Sequence, residues 1–403
     1  MTYIKGLKCK ECGQQYGLDI QYICEECFGP VEVDIDVESA AKDDVSWDEL
    51  ADLLIPAPKG SFSYKSSRPL KKAERLGRRI GINHLYLKDE GGTYPSLSFK
   101  DRVVATALSR AVDEGIEVIA CASTGNLANA LAAHASNAGI KSVVFVPEGI
   151  DYGKIGPAIT CGALVFEVRG NYDAANRLCS EVHEALGWPV VNGSLKPYYL
   201  EGAKGIAYEI LRFFKDGPQI SIVSPVGGGG LLMTLWKGIK ELQSLGLVSG
   251  DLPLLYAIQA DGCAPVINAV KSGSDEIRPV KPDTAIGAIA IGDPPDGYYA
   301  LKAIKESGGS GESAGDEEAF PMVRLLAEEE GIITGPTGGA ALAAASKLVG
   351  DKTINDGRPV VVLLPDRGPS GALIDEKVKK ERLIKVNADL TSFMEVWKQV
   401  SEN

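Results

Sequence analysis

From Leu85 onward, short runs of β-branched and aromatic residues alternate with longer alanine-rich stretches whose apolar positions recur every three or four residues. The short runs read as buried strands and the longer stretches as amphipathic helices. The pattern predicts strands at Leu85–Lys88, Val118–Cys121, Ser142–Val146, Leu164–Val168, Pro189–Asn192, Ile220–Ser224, Leu254–Gln259 and Val360–Leu364. Helices are expected over Asp101–Asp113, Asn126–Ala138, Asn171–Leu186, Gly202–Phe214 and Gly230–Leu245. Strands that arrive singly between helices imply mainly parallel sheets covered on both faces. There are enough of them for two sheets, so the expected fold class is α/β with two lobes. No internal repeat is visible. The stretch SGGSGESAGDEE (Ser307 to Glu318) reads as a flexible, acidic connector.

Ahead of this body the pattern breaks down. An acidic stretch runs from Val31 to Asp52, and a Pro/Ser/Lys segment from Pro56 to Pro69 reads as a surface connector. The first 30 residues carry two CxxC turns, Cys9–Cys12 and Cys24–Cys27, with 11 residues between them. Each turn lets two thiolates meet one tetrahedral ion, and two turns complete a four-cysteine site. Gly13 and Gly29 follow each pair, and the segments between suit hairpins, as in a zinc ribbon. Structural zinc is the expectation, with a rubredoxin-type iron centre and two disulfides as rivals; four thiolates leave no open position for substrate. The other cysteines, Cys121, Cys161, Cys179 and Cys263, lie in apolar stretches and read as buried reduced thiols.

Composition narrows the function classes. The 403 residues are 45% hydrophobic with a formal net charge of −12, and mean hydropathy is near zero. An acidic surface argues against nucleic acid or an anionic membrane as the partner. The start of the chain has no apolar core of a signal peptide, and no run approaches the roughly 18 apolar residues needed to span a bilayer. The expected location is the cytoplasm.

Three turns rich in small residues each follow an apolar strand and open a helix, where open α/β sheets place their ligands. Cys121-Ala-Ser-Thr-Gly-Asn126 offers amides and hydroxyls to a carboxylate or phosphate. Ser224-Pro-Val-Gly-Gly-Gly-Gly230 lets consecutive N–H groups wrap an anion. Thr334-Gly-Pro-Thr-Gly-Gly339 is the third. The spacing is neither that of a Walker A loop nor that of a dinucleotide loop at a first βα turn. His84, His134 and His183, the three histidines, suit packing roles, and no Gly-x-Ser-x-Gly or His-Glu-x-x-His motif occurs. Anion loops without an acid/base set point to an organic cofactor that does the chemistry.

LYLKDEGGTYPSLSFKDRVVATAL from Leu85, CASTGNLANALAAHA from Cys121 and the glycine loop near Gly227 together resemble the fold-type II pyridoxal-phosphate enzymes. SFKDR, ASTGN, YLEGAKGIAYEI, WKGIKELQSLGL, QADGCAPV and ALKAIKESGG are similar in wording and order to the threonine-synthase branch, from about Leu7 through Glu330. Some archaeal-type members carry a cysteine ribbon of this kind. The resemblance implies that Lys100 anchors pyridoxal 5′-phosphate and moves protons, beside Phe99, which keeps the site dry. It implies that Asn126 bonds the cofactor's O3′, that Ser123 and Thr124 hold a substrate carboxylate, and that Gly227, Gly228, Gly229 and Gly230 cradle the cofactor phosphate. It also implies a four-cysteine module at 1–35, a large lobe at 36–95 and 195–403, a small lobe at 96–194, and a homodimer.

Three departures stand out. The phosphate loop has only glycines where relatives commonly carry Asn. Tyr199 stands where related enzymes place an Arg on the substrate phosphate, leaving Lys196 and Lys204 to supply the charge as point cations. Near the C-terminus, Val361-Val-Leu-Leu-Pro-Asp-Arg-Gly368 replaces a Thr-Gly-His-Gly-like segment, and Gly335-Pro-Thr-Gly replaces Glu-Pro-Ala-Ser. Asp366 and Arg367 thus become the candidates to face the pyridine nitrogen: an acid keeps it protonated and a cation keeps it neutral. The expected reaction is that of a lyase acting on O-phospho-L-homoserine and water, with β-elimination or β-replacement on serine, threonine or O-phosphoserine as the alternative. A silent ligand-binding relative is a third reading, opposed by the intact Lys100 and Asn126.

Overall fold

A computed structural model describes residues 3–43, 45–47, 49–56, 70–215, 217–355, 357–368 and 383–401. In chain order the strands are β1 (Ile4–Cys9), β2 (Gln15–Tyr16), β3 (Val31–Ile35), β4 (Lys71–Lys72), β5 (Leu85–Asp89), β6 (Val118–Ala122), β7 (Lys141–Pro147), β8 (Leu164–Val168), β9 (Ser221–Pro225), β10 (Leu254–Ala260), β11 (Ser310–Ala314), β12 (Val360–Leu364) and β13 (Leu383–Val386). They form three sheets.

The larger sheet has the order β11-β10-β9-β12-β5-β4 and is parallel except at β4. Strands buried on both faces read as continuous apolar runs, and β12, Val-Val-Val-Leu-Leu, is buried throughout. Its alternate residues divide between two cores. Val361 and Leu363 join Ile222 and Leu255 against helices Gly230–Ser244 and Gly297–Ser307. Val360, Val362 and Leu364 join Val223 and Ile258 against Pro336–Gly350.

The smaller sheet, β13-β8-β7-β6, is fully parallel. One face packs on helices Lys100–Asp113 and Asn126–Ala138. The other buries Phe145 and Phe166 against Phe393 of helix Leu390–Ser401 and against helix Tyr172–Leu186.

Several expectations change. Ser307–Glu318 is no loose connector: it supplies edge strand β11 and the first turn of helix Asp316–Glu330, where Glu318 Oε2 accepts from Gly315 N at 2.9 Å. Pro189–Asn192 makes only an isolated bridge, Ala120 to Val190. The helix expected over Gly202–Phe214 is there as Lys204–Phe213, and a short helix that was not expected, Lys196–Glu201, precedes it. The large lobe does not run to the C-terminus, because β13 pairs with β8 of the smaller sheet. The acidic stretch Val31–Asp52, for which no element was predicted, contains β3 and helix Val37–Lys42, and helix Leu50–Leu54 straddles its end. Most of the Pro56–Pro69 connector lies outside the described residues.

The cysteine segment forms the third sheet, β2-β1-β3, which is antiparallel. Its Leu7, Cys9, Cys24, Val31 and Val33 share a core with Tyr198 and Tyr199 of helix Lys196–Glu201. Tyr198 Oη donates to Asp19 O at 2.9 Å, and Lys237 Nζ donates to Val33 O at 2.8 Å. The module is therefore stitched to the helix that carries Lys196 and Tyr199.

Candidate active site

Adjacent strands β9, β12 and β5 deliver three segments to one end of the larger sheet. The strand order reverses direction there, which is where parallel sheets open a crevice. Strand β5 leads through Glu90–Gly92 to Lys100, the first residue of its helix. Strand β12 leads to Asp366, which bridges Ser98; Phe99 N donates to Pro365 O at 3.0 Å and Arg367 N to Leu97 O at 3.0 Å. Strand β9 leads to the glycine loop. From the smaller sheet, β6 leads to Ser123–Asn126.

The acid–base pair after Lys100 fixes where that lysine sits. Asp101 accepts from Ser96 N and Oγ, each at 2.9 Å, and lies 3.1 Å from His134 Nε2. Arg102 is fully buried and forks onto Glu90 at 2.6 and 3.0 Å and onto Glu209 at 2.7 and 2.9 Å. Lys88 completes the cluster, 2.8 Å from both carboxylates. Burial alone would raise the Glu90 carboxyl, but Arg102 and Lys88 hold it down at about 2.

Lys100 is half-buried; its Nζ donates to Tyr199 Oη at 2.6 Å and sits 4.5 Å from the Phe99 ring centroid. Burial lowers its ammonium to about 8, so far more of it is free amine near neutrality than for an ordinary lysine. Burial raises Tyr199, which stays a phenol. Asn126 Nδ2 donates to Asp366 Oδ2 at 2.8 Å, and Asp366 Oδ1 accepts from Gly368 N at 2.8 Å. Burial raises the Asp366 carboxyl despite these bonds. The third small-residue turn backs it: Thr334 Oγ1 donates to Asp366 O at 2.9 Å. A Cβ on Gly335 would run into Asp366 Oδ1. Arg367 is exposed. Ser123 Oγ accepts from Ala128 N at 3.2 Å and so caps the helix that Asn126 opens; Thr124 is half-buried beside it.

The glycine loop is a built cradle. Gly229 has φ +97°, and a Cβ there would fall 2.6 Å from the backbone of Asp296. One on Gly227 would be 3.1 Å from Ala288 O, and one on Gly230 2.9 Å from Leu200 Cδ2. Gly228 packs on Pro295, and its carbonyl accepts from Asp296 N at 2.8 Å. Helix Gly230–Ser244 follows directly, adding its positive end. The loop, Lys100, Asn126 and Asp366 fit a phosphate-bearing aromatic aldehyde: an amide nest for the anion, an amine of lowered pKa, and polar groups across from it. Gly229→Ala should weaken cofactor affinity at least about tenfold through strain in the left-handed region and the backbone clash. Absorbance titration with pyridoxal phosphate measures it.

The two lysines expected to meet a substrate phosphate separate. Lys196 lies at the site's rim, paired with Asp296 Oδ1 at 2.5 Å. Lys204 does not reach it. Fully buried, it is held by Glu201 at 2.5 Å, by Glu241 at 3.0 Å and by Leu54 O at 3.0 Å. Its charge is spent inside the large lobe.

Two contributors were missed. Asp296 follows Asp293-Pro-Pro in a turn before a helix, which signals only a cap, and its partner lies a hundred residues away. Tyr199 was noted only for the Arg it lacks.

The four cysteines converge as expected. Their sulfurs all lie within 4.8 Å of one another, with Cys9 to Cys27 at 3.5 Å and Cys12 to Cys24 at 3.6 Å. A disulfide needs about 2.05 Å. A tetrahedron with metal–sulfur bonds of about 2.3 Å has edges near 3.8 Å, so the donor set fits one tetrahedral ion.

The model for pyridoxal-phosphate-dependent enzymes matches residues 65–366. A threonine synthase of Methanosarcina acetivorans is 38% identical over 89% of this chain and 90% of its own. One of Methanocaldococcus jannaschii is 34% identical over 98% and 99%. Among solved structures, the processed threonine deaminase isoform 2 of Solanum lycopersicum covers 77% of this chain and 82% of its own, with 22% identity and a TM-score of 0.62. Maize serine racemase is similar at a TM-score of 0.62, 16% identity, and 90% and 98% coverage; these two likenesses concern the fold. The crevice and its lysine thus define a pyridoxal-phosphate-dependent enzyme of the α/β, two-lobed type. Within that class the chain belongs to the threonine synthase family. Among the described residues, no helix is long and apolar enough to cross a membrane.

Proposed function

We propose that this protein is a lyase that converts O-phospho-L-homoserine and water to L-threonine and phosphate. The reading is carried by the meeting of Lys100, Asn126, Asp366 and the glycine loop in a chain that matches threonine synthases over nearly its whole length. The bound cofactor supplies an electron sink for carbanions on the substrate. Around it the chain's own residues divide the work. Lys100 holds the cofactor and takes and returns protons at Nζ. The amides of Gly227–Gly230 bind the cofactor phosphate, and Phe99 covers Nζ from water. Asn126, held by Asp366, orients the ring hydroxyl, and Asp366 is the acid on hand for the ring nitrogen, while Arg367 stays exposed. The Ser123–Thr124 turn takes the substrate carboxylate and Lys196 the substrate phosphate. The test is stoichiometric: phosphate and threonine should form in equal amounts from phosphohomoserine.

The four cysteines hold one structural zinc ion, the chain works as a cytoplasmic homodimer, the cysteine module spans 1–35, and the small lobe takes 96–194 together with strand β13. Elemental analysis should find one zinc per chain. Stripping it should lower the melting temperature by several degrees, because metal binding supplies folding energy to a module this small. An unchanged melting temperature after complete zinc removal would contradict a structural role.

A further inference from the structure

Tyr199 holds an unusual place. It is 8% exposed, and its only side-chain hydrogen bond among the described residues is the one it accepts from Lys100. Because Lys100 donates, the phenol's own hydrogen is left to point elsewhere, and no acceptor for it occurs among the described residues. Tyr199 and Lys196 are three residues apart in helix Lys196–Glu201, so they share a face. Lys196 and Asp296 mark the rim by the glycine loop. The phenol therefore touches the proton-carrying amine and shares a helix face with the cation nearest an incoming anion.

A phosphate monoester sets a demand at that place. If its carbon–oxygen bond breaks with no proton supplied, the dianion departs as a trianion, so the leaving oxygen needs an acid. We propose that Tyr199 is that acid, a catalytic residue that relays to the departing phosphate the proton Lys100 has taken from substrate carbon. Lys100 removes the proton from the carbon next to the one bearing the phosphate, and the electron pair left behind becomes the new carbon–carbon π bond. The ammonium gives one proton to Tyr199 Oη as the phenol's own proton passes to the ester oxygen. The carbon–oxygen bond breaks, and its pair leaves with the oxygen as hydrogen phosphate. Amine and phenol are both restored. Because the phenol gains one proton as it loses another, it never exists as a free phenolate, which its buried position would oppose.

The inference rests on the reading of the substrate as a phosphate ester, and the experiment separates the two. Cofactor-loaded wild type and Tyr199→Phe are incubated with phosphohomoserine, and separately with phosphoserine, in deuterium oxide. Mass spectrometry follows deuterium entering the substrate's Cα, and a phosphate assay follows release. Tyr199→Phe should keep the cofactor's visible absorbance and Cα exchange within a few fold of wild type, while phosphate release falls about a hundredfold to ten-thousandfold, the range for a lost general acid. Release near the wild-type rate, or exchange and release lost in parallel, overturns the relay. Wild type that releases phosphate from neither ester overturns both the substrate reading and the relay. Should the variant fail to hold cofactor, 3-fluorotyrosine at position 199 serves instead: its altered phenol acidity should change the rate of phosphate release severalfold while Cα exchange stays within a few fold of wild type, and release that is unchanged, or that changes in parallel with exchange, overturns the proposal.

Discussion

Lys100→Ala should abolish turnover, by at least about 10⁴-fold, and remove the visible absorbance that a lysine-linked cofactor shows. The effect is large because one atom does two jobs. Nζ anchors the cofactor and carries protons, and nothing nearby can replace it: Lys196 is paired with Asp296, and Lys204 is sealed among Glu201, Glu241 and Leu54 O. The fold should survive, since Lys100 is half-buried at a helix start and its neighbours Asp101 and Arg102 hold the segment. Absorbance spectra and steady-state rates measure both effects. A variant that kept the absorbance band would show that another amine anchors the cofactor.

The second large effect concerns stability. Glu90→Gln removes the carboxylate that compensates two fully buried cations, Lys88 and Arg102. Glu209 remains, but it is 37% exposed and cannot neutralise both. Breaking a buried pair on one side costs about 3–5 kcal/mol, which the urea midpoint at pH 7 should register. The pH dependence has a definite sign. Glu90 is depressed to about 2 in the fold against about 4.3 unfolded. Its contribution is fully present above about pH 4.3 and is lost as pH falls toward 2. Wild-type stability should drop through that window, and the variant should lack this component of the drop. Parallel acid limbs in both proteins would remove Glu90 from the account.

The same cluster shows what was legible in the chain and what was not. SFKDR announces its lysine because the residues that matter are contiguous, and CASTGN and the glycine run do the same for their turns. The central strand β12 was legible because it is buried on both faces and keeps an unbroken apolar run, and β9, equally buried, shows its Ile-Val pair between two serines. Edge strand β11, Ser-Gly-Glu-Ser-Ala, has no β-branched residue, so backbone pairing with β10 decides it rather than composition. What Asp101 and Arg102 do depends on Ser96, His134, Glu90 and Glu209, scattered over more than a hundred residues. Lys196 and Lys204 were both candidates to supply the missing charge, and nothing in the sequence chooses between them. Three-dimensional packing alone put Asp296 beside one and two buried carboxylates around the other. Asp366 and Arg367 were likewise a choice between neighbours, decided by which one the strand end turns inward toward Asn126.

The measurement that bears most directly on the proposed function is a comparison of substrates on the cofactor-loaded protein. Phosphohomoserine should yield phosphate and threonine one to one, with a kcat/KM at least about tenfold above that for phosphoserine and no keto acid formed. Preferential turnover of phosphoserine, or keto acid from serine or threonine with no phosphate released from phosphohomoserine, would contradict it.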